Sequence, residues 1–163
     1  ITAVVGKKSI MEAAQKTFIS STFWTERIGP TAAIATLKEM KKIKSWQLIN
    51  EIGIKIQNGW KKIASENSIN INVTGLPAIS SYAFNGDRSL EYKTLVTQEM
   101  LKKGFLASTN FYACIEHSDY LINLYLDALN DVFKIISKCE NKELDIYKLI
   151  EGPICHSGFQ RLN

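Results

Sequence analysis

Phe18-Ile19-Ser20-Ser21-Thr22-Phe23-Trp24-Thr25-Glu26-Arg27-Ile28-Gly29-Pro30 sets Ser20, Ser21, Thr22 and Thr25 among Phe18, Phe23 and Trp24 and ends on a Gly-Pro step. Clustered hydroxyls compete with the backbone for hydrogen bonds, so they favour caps and turns over helix interiors. Pro30 fits the first turn of a helix, where its missing N–H costs nothing. The stretch therefore reads as a hydroxyl-rich turn that leads into a helix N-terminus. Such a turn offers backbone N–H and side-chain O–H donors. Both suit a phosphate dianion, and the helix dipole adds to the attraction. Capping is the commoner use of the same residues.

Working outward, Ile1 to Val5 is apolar and β-branched and reads as a strand ended by Gly6. A chain that begins inside a strand is expected to have more protein before it. Ser9 to Lys16 reads as a short helix. Beyond Pro30 the pattern is helical to Lys42, and its alanine-rich first half predicts close approach to another helix. Trp46 to Glu66 is a longer helix with the stripe Leu48, Ile49, Ile52, Ile56, Trp60 and Ile63, and Ser45 is its expected N-cap. Ile69 to Val73 and Ala78 to Phe84 read as strands punctuated by Gly75 and Pro77, with Asn85-Gly86-Asp87 as a turn. Glu91 to Lys103 is a helix closed by Gly104. Phe105 to Ala107 and Phe111 to Ile115 read as short strands. Ser118 or Asp119 caps a helix running to about Ser137, and Leu144 to Ile150 adds a short one. Strands separated by single helices predict an α+β fold, a small and mainly antiparallel sheet covered by helices.

Bulk properties narrow the function. The chain has 163 residues and is 45% hydrophobic, ordinary for a soluble globular domain. No apolar run reaches the roughly 20 residues that span a bilayer, so no membrane role is expected. Cys114, Cys139 and Cys155 are odd in number and lack C-x-x-C spacing, which argues against structural zinc and a disulfide framework and points to the cytoplasm. Cys114 lies in the apolar run Phe111 to Ile115 and reads as a small core residue. The net charge of +4 comes from lysines spread over helix faces, with arginine only at Arg27, Arg88 and Arg161. That pattern suits a solvated surface better than a reader of nucleic acid.

FISSTFWTERIGP, followed by AAIATLKEM, closely resembles the segment after the cofactor lysine in class III aminotransferases of the glutamate-1-semialdehyde aminomutase type. AVVGKKSIMEAAQ at the start, TLVTQEMLKKGFLAS in the middle and CHSGFQRLN at the end extend the resemblance over essentially the whole chain. It implies a fold-type-I pyridoxal-phosphate (PLP) transferase, with residues 1–44 ending the large cofactor domain and residues 45–163 forming the small C-terminal domain. It implies a homodimer whose active sites lie at the subunit interface. Thr22 first, then Ser21, would bind the phosphate of the cofactor held by the partner. The substrate would be a small amine or keto compound. The family's Schiff-base lysine and the aspartate at the pyridine nitrogen precede Ile1, so no catalytic residue is expected within the chain, and the chain alone is expected to be inactive. Lys7 and Lys8 take no catalytic role from the resemblance.

The region downstream departs from common class III patterns. No arginine to grip a substrate carboxylate lies between Gly104 and Ser118, and the loop Ser108 to Phe111 is short and carries no glutamate. Glu116 does not align with the aminomutase glutamate. His117, His156 and Arg161 read as structural, while Trp24 could face the partner's site or anchor the dimer. Composition alone also allows a non-enzymatic basic α+β module that docks protein or nucleic acid.

Overall fold

The computed structural model describes residues 2–19, 22–23 and 25–158. The backbone divides into two compact units, Ile1–Lys44 and Ser45–Asn163.

The first unit holds α1 (Lys8–Ala14) and α2 (Ile28–Ile43). Residues 2–5, expected to belong to a strand from Ile1 to Val5, form none, and Ile1 lies outside the described residues. A β-branched run becomes a strand only beside a partner, and the described residues of this unit hold no other strand. Neither helix buries a residue, and Ile34 and Leu37 of α2 stand exposed. Among the described residues of this unit, the expected close helix approach at its alanines is not seen, and the other described helix has seven residues. Lys44 then takes a left-handed conformation (φ 52°, ψ 45°) and ends α2.

The second unit contains α3 (Ser45–Glu66), β1 (Ile71–Leu76), β2 (Ile79–Phe84), α4 (Ser89–Lys102), β3 (Asn110–Tyr112), α5 (Asp119–Glu140) and α6 (Ile146–Leu149). The strands form an antiparallel sheet in the order β1-β2-β3, so the α+β expectation holds. Leu76 pairs with Ile79, which leaves Pro77-Ala78 as a two-residue turn, and Ile79 pairs with Tyr112. Gly75, expected outside the strand, lies within β1 at φ +89°, where its missing Cβ lets the Ile79 carbonyl approach.

Side chains alternate across β2. Ser80, Tyr82 and Phe84 are buried, and α3 and α4 pack on the sheet. Ile79 and its neighbours Leu76 and Tyr112 are exposed. Trp60 of α3 centres the core. Its ring meets Tyr82 edge-on at 4.7 Å, and its Nε1–H donates to the Tyr125 hydroxyl of α5 at 2.9 Å. Phe84, Tyr92 and Phe133 extend the aromatic cluster. The Tyr82 hydroxyl is buried without a hydrogen-bond partner among the described residues.

α3 approaches the hairpin through Gly53, where an added Cβ would lie 1.8 Å from the Pro77 carbonyl oxygen. One turn later the Gln57 amide donates to the Gly75 carbonyl at 3.3 Å and to Ser80 Oγ at 2.8 Å. Ser80 Oγ can in turn donate to the Pro77 carbonyl at 3.0 Å. Ser45 is the first residue of α3 rather than a cap, and its buried hydroxyl has no described partner. Only Lys44 separates α3 from α2, so no loop residue is left for a cap.

Gly104 closes α4 as its sequence predicts, at φ +86°. Its N–H donates to the Leu101 carbonyl at 2.9 Å, and that of Phe105 to Met100 at 2.9 Å, the paired bonds of a Schellman end. This turn takes Phe105 and Ala107 out of strand geometry, correcting the strand expected at 105–107. The next strand covers 110–112 rather than 111–115. The chain leaves the sheet after Tyr112, so Cys114 is exposed, and Cys139 is instead the fully buried thiol.

The chain after α6 is strapped to α4 by several side chains, among them Lys102, which pairs with Glu151 at 2.7 Å. Gln98 Nε2–H donates to the Leu149 carbonyl at 2.8 Å, and its Oε1 accepts from the Glu151 N–H at 2.8 Å. Cys155 N–H adds a bond to Thr94 Oγ1 at 3.0 Å.

Candidate functional site

In the first unit, the hydroxyl-rich turn is the sequence-derived candidate. Ser21, Ser20 and Trp24 lie outside the described residues. Thr22 is exposed, and its hydroxyl bonds no described residue. Thr25 adopts a left-handed conformation at φ 57° just before the helix. The end of α2 holds a feature that sequence reasoning missed. The Glu26 carboxylate accepts from the Ile28 N–H and, at 3.2 Å, from the Gly29 N–H. A carboxylate two or three residues before these donors could have been read as a cap. These two N–H groups are thus taken by the chain's own anion. Thr22 has no partner among the described residues, whereas this part of the helix end is occupied. Lys7 precedes α1 and makes no capping bond with its side chain.

In the second unit, no arginine lies between Gly104 and Ser118, and among the described residues no side chain of that segment forms an ion pair. Ser108 Oγ accepts from Thr97 Oγ1 at 3.4 Å, and Thr109 is buried, its carbonyl accepting from Tyr82 N–H at 2.9 Å. Glu116 is exposed and holds the turn through its carbonyl, which accepts from Ser118 N–H at 2.9 Å. His117 orients the same turn. Its Nδ1 accepts from the Cys114 N–H at 3.1 Å, which leaves the ring's proton on Nε2, and its ring lies 5.0 Å from Phe111. Ser118 Oγ accepts from the Leu121 N–H and caps α5, as the sequence predicts.

Arg88 is anchored elsewhere, in the 88–148 region. It donates to the Cys139 carbonyl at 3.4 Å and lies beside the Tyr92 hydroxyl and Glu140. Burial, reinforced by Glu140, pushes the Tyr92 hydroxyl up to about 12. Arg88 lines an open cleft of about 510 Å³ together with Lys142, Asp145 and Lys148. His156 lines a smaller one of about 240 Å³ with Lys93 and Thr109. A third cavity, about 400 Å³, lies among Ile56, Phe105, Phe111, Ile122 and Tyr125, with Asn110, Tyr112 and His117 also on its wall. Among the described residues no group of His, Cys, Asp or Glu side chains could hold a metal ion, and no helix is long and apolar enough to cross a membrane.

The chain is 27% identical over 146 residues to a 3-aminobutyryl-CoA aminotransferase of Cloacimonas acidaminovorans (strain Evry), a match covering 83% of this chain and 35% of that protein. Its fold matches the FumI protein of Sphingopyxis sp. MTA144, solved in its PLP internal aldimine form, with a TM-score of 0.73 and 18% identity over 90% of this chain and 36% of that one. The chain thus spans about a third of the length of each relative. No family model matches it. The sequence resemblance is to an aminotransferase and the fold resemblance is to a PLP-bound protein, in line with the resemblance expected from the motifs.

Proposed function

We propose that this chain is the C-terminal part of a class III PLP-dependent aminotransferase or aminomutase. The observation that carries the reading is the alignment with an aminotransferase over 146 residues, supported by a matching fold. In this reading residues 1–44 end the cofactor domain and residues 45–163 form the small domain that covers the substrate. The protein is a cytoplasmic homodimer, similar to glutamate-1-semialdehyde aminomutase, acting on a small amine or keto compound.

The residues present fit the cofactor's phosphate in one respect. Thr22 carries an exposed hydroxyl with no described partner, free to donate to a phosphate oxygen. Ser21 is the proposed second donor. The Ile28 and Gly29 N–H groups do not add to this set, because Glu26 holds them. Bound PLP supplies an electron sink for the substrate carbon. This chain's part is to fix the phosphate and cover the site, while the Schiff-base lysine comes from upstream. The isolated chain should therefore be inactive.

The test is cofactor uptake by the whole protein that contains this chain. It should take up PLP and show visible absorbance. Thr22→Val removes a hydrogen bond to a charged group, worth roughly 1.5–3 kcal/mol. At about 1.4 kcal/mol per decade, the cofactor Kd should rise tenfold or more. A whole protein that takes up no PLP would sink the reading, and an unchanged titration would remove Thr22 from the site. Turnover by the isolated chain above that of free PLP would refute its proposed inactivity.

A further inference from the structure

The cavity of about 400 Å³ lies wholly within the second unit and has a composition that selects its ligand. Its size falls in the range of small-molecule sites, about 300–1,000 Å³. Ile56, Ile122, Phe105 and Phe111 give it apolar and aromatic walls. Its lining includes no lysine, arginine, aspartate or glutamate. A zwitterion or carboxylate entering it would lose hydration with no opposite charge to replace it.

Tyr125 stands on one wall. Tyr125 is nearly buried, and its hydroxyl oxygen already accepts from Trp60 Nε1–H at 2.9 Å. The hydroxyl proton has no acceptor among the described residues. Burial raises the Tyr125 hydroxyl well above its ordinary value, so the group stays a donor through the neutral range. His117 is fixed on the same lining by the Cys114 N–H. A buried donor without an acceptor is costly, and a ligand that supplies one recovers that cost.

We propose that this cavity binds a small neutral molecule with an apolar, aryl-sized body and one carbonyl acceptor, taken by the Tyr125 hydroxyl. The site does not rest on the aminotransferase reading.

Acetophenone is the probe, with ethylbenzene as the similar body lacking the acceptor and phenylalanine as the zwitterion. Amide shifts of the 163-residue chain are followed by NMR during titration. Acetophenone should move the amides of Phe105, Phe111 and Leu121. It should bind roughly three- to tenfold more tightly than ethylbenzene, the worth of one net hydrogen bond. Phenylalanine should leave these amides unmoved. Tyr125→Phe should erase the preference for acetophenone while keeping ethylbenzene binding. If that variant unfolds because Trp60 loses its acceptor, the double variant Trp60→Phe/Tyr125→Phe removes both partners and makes the same comparison. Ile122→Trp should fill the cavity and abolish both bindings. The proposal is overturned if neither probe moves these amides, if phenylalanine binds best, or if the preference survives the loss of the Tyr125 hydroxyl.

Discussion

Gly53→Ala and Gly59→Ala make the same chemical change at two positions of α3, and the structure assigns them different outcomes. Both gain helix propensity of about 1 kcal/mol. At Gly53 the new Cβ would lie 1.8 Å from the Pro77 carbonyl oxygen and 2.2 Å from its carbon. Ordinary contact begins at 3.4 Å, so the turn must retreat by 3.4 − 1.8 = 1.6 Å. The obstacle is backbone in a two-residue hairpin turn, which has no rotamer to change. Overpacking of this kind costs about 1–3 kcal/mol. Retreat of the turn also breaks the Ser80 Oγ bond to the Pro77 carbonyl, worth about 1 kcal/mol. With the propensity gain subtracted, Gly53→Ala should lose about 1–3 kcal/mol. At Gly59 the new Cβ would meet only the Leu126 side chain, at 2.6 Å. The end of a leucine can move, at about 0.5–1.5 kcal/mol for an off-rotamer position, so the net change should stay near zero. Urea titrations followed by Trp fluorescence give both values from the midpoints, provided the slopes agree. Equal stability of the two variants would refute the view that α3 is seated by backbone contact at Pro77.

Tyr82→Phe removes a buried hydroxyl that has no described partner and should raise stability by about 1 kcal/mol in the same titration; a loss of similar size would show that the hydroxyl is satisfied. Gln98→Leu should release the chain after α6, seen as faster hydrogen exchange at Glu151 with little change in the Trp60 indole signal; unchanged exchange at Glu151 would mean the strap holds without this side chain. The Glu99 carboxyl is opposed by burial, but bonds from Lys102 and Gln98 outweigh this and hold it below the usual range; Lys103 and Lys134 do the same for Asp131. Depressed carboxyls contribute stability that is complete above the unfolded values, about pH 4, and is lost as pH falls through the lower folded ones. The urea midpoint should fall through that window, and Glu99→Gln should flatten part of the fall; a parallel curve for the variant would remove Glu99 from the effect.

The long elements were legible because their signals are periodic. The stripe from Ile52 through Ile56, Trp60 and Ile63 fixed α3, and Ser118 and Gly104 marked the ends that the structure uses. Three misreadings share a cause. Residues 2–5, 105–107 and 113–115 were read as strand from their side chains, yet a strand also needs a neighbouring edge, which no local pattern reports. Cys114 followed the same error, since its burial was inferred from a strand that stops at Tyr112. Among the candidate site residues, Thr22 is proposed from its chemistry. The Glu26 cap was missed because its charge was not weighed against the helix end it faces. The 400 Å³ cavity was invisible in the sequence, for its walls come from α3, the β3 region and α5, and only the packed fold brings them together.

The alternation along β2 also protects the hairpin against assembling wrongly. Tyr82 and Phe84 sit on the buried face, whereas Ile79, Ser81 and Ala83 belong to the other. A slip of one residue would exchange the two sets. It would put two aromatic rings into water, at about 1.5–3 kcal/mol each, and would offer Ser81 and Ala83 to Trp60 in their place. A chain that pairs these strands in the shifted register therefore has no core to close upon. The aromatic pair thus selects the strand register as well as filling space.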